Sequence, residues 1–295
     1  MGRKRGSGGS SSAGAGKATK SIAGTYAIST GELVVEADTF REDAYILNIN
    51  GVPSSHIVLG QPRELEFEYM RWIAAALESL SPGRRLLHLG GGGCSLPRYV
   101  ADLWPDSHNT VVELDARLGE LIRELFDIPK APRVKIRAGE AREVTEGFPP
   151  GRFDVIIRDV FAGAETPQPL TTVEFFHHAH RVLSPGGLYV ANCGDHSDLR
   201  GATAELAGMR EVFEHVACIA DPPMLKGRRY GNIILIGSDA ELPAEGSPEA
   251  AALAKPLLSG AVPAHYKDEA WTRRFIDAAQ PRWDPPVKSA EVSAD

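Results

Sequence analysis

From residue 85 onward, apolar runs of strand length alternate with stretches whose apolar residues recur at helical spacing. Runs such as DVIIRDV and GGLYVAN are apolar on both faces, which is typical of strands covered by helices on both sides. We predict strands at 85–89, 109–114, 133–137, 153–159, 186–192, 215–220 and 231–237, and helices near 95–103, 115–126, 139–145, 171–183 and 199–213. This alternation predicts an α/β fold with a Rossmann-like, doubly wound sheet of the class I methyltransferase type, which binds ligands at the carboxyl ends of its strands.

A different pattern precedes this domain. Residues 32–37 and 44–50 alternate as strands, a turn is predicted at Asn50-Gly51, and residues 55–59 suit a third strand. Together they predict a small antiparallel β unit. A helix with apolar residues at helical spacing follows at 64–80 and ends at the Ser-Pro-Gly stop.

These patterns divide the chain into four parts. Residues 1–24 form a basic, Gly/Ser-rich tail that we expect to be disordered, because it lacks the apolar residues that would offset its ordering entropy. Residues 25–80 hold the β unit and the linking helix, and residues 81–240 form the Rossmann-like domain. Residues 241–295 read as an Ala/Pro-rich extension with one helix, near 268–279.

The turn after the first strand of the large domain carries four glycines, Gly90, Gly91, Gly92 and Gly93. Glycine lets the backbone pass close to a ligand where a Cβ would clash, and the helix that follows offers its N-terminal N–H groups. The next strand ends at Glu113, whose carboxylate lies at the distance along the chain expected for binding ribose hydroxyls. The order strand, glycine turn, helix, strand and acid therefore predicts a nucleoside site.

Two further acids follow later strands. Glu140 comes after the third strand and Asp159 ends the fourth, so both share the edge of the sheet that carries the glycine turn. Glu140 suits contact with an adenine amino group, or a carboxylate at a helix N-terminus. Asp159 suits a base or cation-binding group, or a loop hydrogen bond.

Composition and charge exclude several classes. The 295 residues carry a net charge of −7, although residues 1–20 hold five basic residues and no acidic one. An acidic body argues against nucleic acid as a partner and is compatible with a cationic substrate. The three cysteines show no metal-ligand or disulfide spacing, and His177 and His180 lack a neighbouring acid or cysteine, so we expect no metal. No apolar run is long enough to span a membrane and no signal-peptide core is present, so we expect a cytoplasmic protein without a membrane partner.

The segments LHLGGGGCSLPRYV, VVELD, AGEAREV, FDVIIRDVF and LSPGGLYVANCGD resemble the spermidine synthase (polyamine aminopropyltransferase) family, especially its divergent actinobacterial-type branch. The resemblance runs from about residue 32 to 237 and includes the β unit. It implies that decarboxylated S-adenosylmethionine donates an aminopropyl group from its sulfonium to a small-molecule amine or polyamine. It also implies that Glu113 holds the ribose, that Glu140 with Ala141 beside it holds the adenine, and that Asp159 activates the amine.

The chain departs from the family at several positions. The acid that the family places in the glycine turn is here Gly93, and the second acid of the motif at the end of the fourth strand is here Ala162. The family's glutamine in the β unit corresponds to Ser54 or Ser55. Since each lost carboxylate leaves an ammonium group without a partner, we expect weakened polyamine turnover.

Three functions therefore stay open. The first is an aminopropyltransferase-like enzyme with Asp159 as base. The second is an S-adenosylmethionine-dependent methyltransferase, which the glycine at position 93 favours, and the third is a nucleoside-binding protein without catalysis. Dimers are usual in the resembled family, so the resemblance implies a homodimer, whereas the sequence itself leaves the oligomeric state open.

Overall fold

The structure is a computed structural model that describes residues 22–163 and 165–286. Most of the predicted basic tail, residues 1–21, lies outside the described residues. The described chain forms two sheets. Its strands are β1 (Gly24–Ile28), β2 (Gly31–Ala37), β3 (Ala44–Ile49), β4 (Val52–Val58), β5 (Arg85–Leu89), β6 (His108–Glu113), β7 (Val134–Ala138), β8 (Phe153–Arg158), β9 (Leu183–Asp195), β10 (His215–Ala220), β11 (Gly231–Ser238) and β12 (His265–Lys267).

The helices lie where the amphipathic stretches predicted them, with three additions. They are α1 (Glu68–Leu80), α2 (Ser95–Leu103), α3 (Ala116–Leu125), α4 (Ala141–Glu146), α5 (Val173–Val182), α6 (Arg200–Arg210), α7 (Pro222–Leu225), α8 (Pro248–Leu258) and α9 (Glu269–Phe275), with a 3-10 turn at Gln168–Leu170. The short α7, α8 and the 3-10 turn were not predicted. None of the helices in the described ranges is long and apolar enough to cross a membrane.

The large sheet is mixed. Its strand order is β12-β10-β11-β9-β8-β5-β6-β7, in which β9, β8, β5, β6 and β7 run parallel and β10, β11 and β12 are antiparallel to their neighbours. Apolar side chains of α1, α2 and α8 cover one face, and those of α4, α5, α6 and α9 cover the other. The predicted Rossmann-like α/β class is confirmed. Strands β5 and β8 lie side by side at its centre, so the glycine turn and Asp159 leave the same edge next to each other.

The N-terminal unit is a four-stranded antiparallel meander, β1-β2-β3-β4, rather than the three predicted strands. The missed strand, GTYAI, is short and mostly exposed, so its hydrophobic alternation is weak. Several polar contacts join this sheet to the large domain, among them those of Asp115 and Ser55. Asp115, at the N-terminus of α3, accepts the N–H of Thr30 at 2.6 Å and its hydroxyl at 2.9 Å, and Ser55 Oγ accepts the N–H of Gly93 at 2.9 Å.

The C-terminal segment is part of the fold rather than an appendage to it. Strand β12 pairs with β10 at the edge of the large sheet, and α8 packs against α1. Further on, Asp284 accepts a hydrogen bond from Arg142 of α4 at 2.7 Å, and its own N–H donates to Glu174 of α5 at 2.9 Å. Residues 241–286 therefore complete the sheet edge and connect α4 to α5, which composition alone did not predict.

Candidate functional site

A cleft of about 1300 Å³ opens at the carboxyl ends of β5, β6 and β8. Residues of the β unit and of the segment around the 3-10 turn contribute to its walls. Seven of the eight predicted site residues line it: Gly90, Gly91, Gly92, Glu113, Glu140, Ala141 and Asp159. The topology thus brings together side chains that lie up to about 70 positions apart in the sequence.

The glycine turn needs its first glycine for two reasons. Gly90 has a φ of +91°, and a Cβ there would collide with the backbone carbonyl oxygen of Asp159. The N–H of Asp159 in turn donates to the carbonyl oxygen of Leu89 at 2.9 Å. The turn after β5 and the residue after β8 are therefore held together by backbone packing.

Glu113 organises the glycine turn. Its Oε2 accepts the N–H groups of Gly91 at 2.9 Å and Gly92 at 3.1 Å, and its Oε1 accepts the N–H of Asp115 at 3.0 Å. A carboxylate offers about four acceptor positions, so three are used within the protein. The sequence predicted a ligand-binding residue, and the structure shows that this carboxylate supports the turn.

Gly93 is not among the residues that line the cleft, and its assignment to the nucleoside site stays a prediction. Its N–H donates to Ser55 Oγ, and a Cβ at this position would lie 2.7 Å from Ser55 Cβ and 3.0 Å from Leu47 Cδ2. Its Cα thus faces the β unit, because the last glycine of the turn is where β4 packs against the start of α2. The neighbouring Cys94 is buried as well, and burial raises the pKa of its thiol to about 12.

Glu140 occupies the N-cap position of α4, where its Oε2 accepts the N–H of Glu143 at 2.9 Å. This is the contact with the helix N-terminus that the sequence left open as an alternative to adenine binding. Its other oxygen has no such bond to α4, and Ala141 beside it is buried on the same wall of the cleft. Both residues line the cleft.

Asp159 is held between two side chains from different elements. Tyr69 of α1 donates its hydroxyl to Oδ2 at 3.1 Å, and Asn192 of β9 donates its amide to Oδ1 at 3.0 Å. Burial raises the pKa of Asp159 above its usual value, although the bonds from Asn192 and Tyr69 and the nearby charge of Arg158 oppose that rise. The site therefore holds one carboxylate with an increased proton affinity.

Tyr69 lies in the helix predicted at 64–80, and Asn192 was missed as a site residue. Asn192 follows the apolar run LYVA at the carboxyl end of the strand beside β8, and that position was the available signal. Its side chain is buried, and its Oδ1 has no hydrogen-bond partner in the structure. An unpaired buried acceptor at the wall of a cleft is suited to an N–H donor on a ligand.

Ala162, at the position of the second family acid, is exposed beside the cleft, and its N–H donates to the carbonyl oxygen of Glu165 at 2.8 Å. Elsewhere, the described ranges contain no group of three or more His, Cys, Asp or Glu side chains placed to hold a metal ion. His178 and His180 instead lie near single acids, Glu146 and Asp239.

Comparison with known proteins gives a family. The sequence pattern of the Spermine/spermidine synthase domain matches residues 66–219, just over half of the chain. The chain belongs to this family. The crystal structure of a probable spermidine synthase from Corynebacterium glutamicum ATCC 13032 is 62% identical, with 92% of this chain and 99% of that chain covered and a TM-score of 0.89. The family recognised from the sequence motifs is confirmed.

Two further similarities extend the comparison. The polyamine aminopropyltransferase of Vibrio vulnificus is 29% identical over 206 residues, which are 68% of this chain and 67% of that protein. The match spans about half of the length of other aminopropyltransferases. The structure of human Methyltransferase-like protein 13 in complex with SAH shares the fold, at 24% identity and a TM-score of 0.53, with 75% of this chain and 97% of that chain covered.

Proposed function

We propose that the cleft binds a sulfonium nucleoside and transfers its aminopropyl group to a small-molecule amine or polyamine, with Asp159 as the base. The observation that carries this proposal is the position of Asp159. Its carboxylate lies on the same cleft as the glycine turn, is oriented by Tyr69 and Asn192, and has a raised pKa because it is buried. Membership of the spermine/spermidine synthase family supports the same reaction class.

The donor for aminopropyl transfer is decarboxylated S-adenosylmethionine, whereas S-adenosylmethionine, which keeps the carboxyl on that chain, would bind the same cleft as a methyl donor. Gly90, Gly91 and Gly92 allow the nucleoside to approach the backbone, and the fourth acceptor position of Glu113 is open to a ribose hydroxyl. On the neighbouring wall, the free oxygen of Glu140 suits the adenine amino group, and the small side chain of Ala141 leaves space for the ring. No metal takes part in this proposal.

Transfer is an in-line displacement at carbon. The amine nitrogen attacks the methylene carbon bonded to the sulfonium, the C–S bond breaks, and its electron pair stays on sulfur to give a neutral thioether nucleoside. The nitrogen gains a bond and loses a proton, which Asp159 accepts. A carboxylate whose pKa is raised by burial holds that proton better than an exposed one, and Asn192 Oδ1 is free to accept another N–H of the amine.

The experiment is a transfer assay with Asp159→Asn. Parent protein is mixed with decarboxylated S-adenosylmethionine and putrescine or spermidine, and methylthioadenosine release is measured. Because the amide keeps the shape but removes the base, we expect turnover to fall by roughly 100- to 10,000-fold while methylthioadenosine affinity stays within a few-fold. Glu211→Gln, at an exposed acid away from the cleft, is the matched control. Equal turnover in parent and Asp159→Asn would remove Asp159 from the mechanism.

Methyl transfer from S-adenosylmethionine is the second candidate. The observation that favours it is the neutral environment at position 93, where Gly93 and Ser55 stand in place of an acid that would grip the donor's amine. Calorimetric titration with the intact donor, the decarboxylated donor and methylthioadenosine separates the possibilities. Tighter binding of the decarboxylated donor supports aminopropyl transfer, tighter binding of the intact donor supports methyl transfer, and binding without turnover on any amine supports a non-catalytic protein.

The homodimer implied by the family and the cytoplasmic location stay predictions. Light scattering on the purified full chain measures the first, and cell fractionation measures the second.

A further inference from the structure

A fully buried ion pair lies directly behind the proposed base. Arg158 is the last residue of β8, between Leu89 of β5 and Ala191 of β9 in the middle of the sheet, and its side chain is 0% exposed. Its Nη2 donates to Glu205 Oε2 of α6 at 2.6 Å, and Glu205 is 1% exposed. A buried pair of this kind contributes little stability relative to apolar side chains of the same volume. Its presence directly after the buried apolar run Val155, Ile156 and Ile157 therefore indicates another role.

The remaining bonds of Arg158 point to that role. Nη2 also donates to the carbonyl oxygen of Asn192 at 3.3 Å, and Nη1 donates to the carbonyl oxygen of Leu170 at 3.4 Å. Asn192 is the residue whose side chain donates to Asp159, and Leu170 ends the 3-10 turn on the cleft wall. One guanidinium thus ties the strand that carries Asp159 to the strand that orients it.

We propose that the Arg158–Glu205 pair is a positioning device for Asp159: it fixes the backbone of Asn192, and through the Asn192 amide it orients the carboxylate. Glu205 in turn keeps the guanidinium in place, since it is the acid that forms an ion pair with Arg158 within the described part of the chain. This inference rests on the proposed function only in that Asp159 is taken to be the base. The arrangement of the four side chains is independent of the reaction.

The pair also sets the charge around Asp159. The titratable groups that act on Asp159 are Tyr69 of α1 and its neighbour in sequence, Arg158. The charge of Arg158 lowers the pKa of Asp159. Around Glu205 lie Arg158 of β8, Tyr189, Cys193 and Asp195 of β9, and Arg282 of the C-terminal segment. Removal of both charges of the pair takes away the cation nearest to Asp159, whereas removal of the Glu205 charge alone leaves that cation in place and less neutralised.

The test uses two variants of the full chain with opposite expected signs. Arg158→Met/Glu205→Leu keeps the volume of the pair and removes both charges, so the fold should persist. We expect kcat to fall about tenfold and the acid limb of the kcat/KM profile to move up by about one pH unit, with methylthioadenosine affinity unchanged. Glu205→Gln should move the same limb down. Arg158→Lys retains the charge but not the forked bonds, so we expect it to lower kcat while the acid limb stays near that of the parent.

A measurement without turnover separates this inference from the proposed function. The ¹³C NMR titration of the Asp159 carboxyl, assigned with Asp159→Asn, should show the same opposite shifts in Arg158→Met/Glu205→Leu and Glu205→Gln even if no amine is a substrate. If the double variant does not fold, the downward shift in Glu205→Gln still supports the proposal. An Asp159 carboxyl that titrates as in the parent in every folded variant, or a parent-like kcat in the double variant, would overturn it.

Discussion

The hydroxyl of Tyr69 donates to the carboxylate of Asp159 across 3.1 Å and so connects helix α1 to the carboxyl end of β8. The two residues are 90 positions apart. Both are half-buried at the cleft, and burial together with the neighbouring Asp159 raises the pKa of Tyr69 well above its usual value. Tyr69 therefore stays protonated and acts as a donor throughout the physiological pH range.

Tyr69→Phe should test this bond. Since the hydroxyl works to lower the pKa of Asp159, its loss should raise that pKa further, and the acid limb of the kcat/KM profile should move to higher pH. We expect turnover to fall by about tenfold, because one of the two bonds that orient the carboxylate is lost. Tyr99→Phe is the matched control, as Tyr99 bonds to Glu78 outside the cleft. An unchanged pH profile in Tyr69→Phe would contradict the assignment.

Glu113→Ala should weaken nucleoside binding and also destabilise the protein. Glu113 accepts three backbone N–H groups of the turn and its flank, so its truncation affects the fold as well as the site. Their loss should lower the free energy of unfolding by about 1–3 kcal/mol. Calorimetry with methylthioadenosine and thermal melting measure the two effects. Glu113→Gln keeps an acceptor oxygen and should melt between the parent and Glu113→Ala; parent-like melting of Glu113→Ala would show that these bonds are dispensable.

Gly93→Asp, the change that would restore the family acid, should be destabilising by itself. Its Cβ would lie 2.7 Å from Ser55 Cβ and 3.0 Å from Leu47 Cδ2, and overpacking of this kind costs about 1–3 kcal/mol. Ser55→Gly in the same chain should recover part of the loss, because it removes the nearer obstacle. Thermal melting of the single and double variants measures this coupling, and additive effects would show that the two sites do not touch.

The rate of aminopropyl transfer should increase only when Ser55→Gly has made space for a side chain at position 93. We expect Gly93→Asp/Ala162→Asp to gain little, whereas the same pair of changes with Ser55→Gly should increase methylthioadenosine release, if acids at these positions bind the ammonium groups. Putrescine-dependent assays of the two proteins make the comparison. No gain in either would favour methyl transfer or a non-catalytic role.

Asp115 should make the junction between the two sheets sensitive to acid. Burial works to raise its pKa, but the bonds from the N–H of Leu118 and from Thr30 outweigh burial and lower the pKa to about 2. A carboxyl whose pKa is lower in the folded than in the unfolded state stabilises the fold fully above its unfolded pKa, near 4. That stabilisation is lost as the pH falls toward the folded pKa, near 2. The shift corresponds to about 2 kcal/mol at pH 7. Asp115→Asn should therefore be less stable than the parent at pH 7, by a margin that shrinks below pH 4.

Urea unfolding of parent and Asp115→Asn between pH 7 and pH 2 measures that margin. Asp106→Asn, at an exposed acid, is the control and should differ little from the parent at any pH. A margin that does not change with pH would mean that Asp115 stabilises the junction by shape rather than by charge.

The sequence by itself determined the class of fold and most of the residues that lie at the carboxyl edge of the parallel strands. Runs that are apolar on both faces identify the parallel strands, and the acids that directly follow them must share that edge, because parallel strands end on the same side. Glu113, Glu140 and Asp159 were located in this way, and all three line the cleft. The motifs that identified the family lie at these same strand ends and turns, where backbone geometry restricts the choice of residue.

Only the tertiary structure decided which way each group faces and what it contacts. Gly93 looks equivalent to its three neighbours in sequence, yet it packs on Ser55 of another sheet. Arg158 looks like a charge misplaced in an apolar strand until Glu205, 47 residues later, is brought beside it. Strand β12 is too short to be recognised by periodicity and exists because β10 offers it a free edge. These features depend on contacts between distant segments, and local hydrophobic pattern carries no information about such contacts.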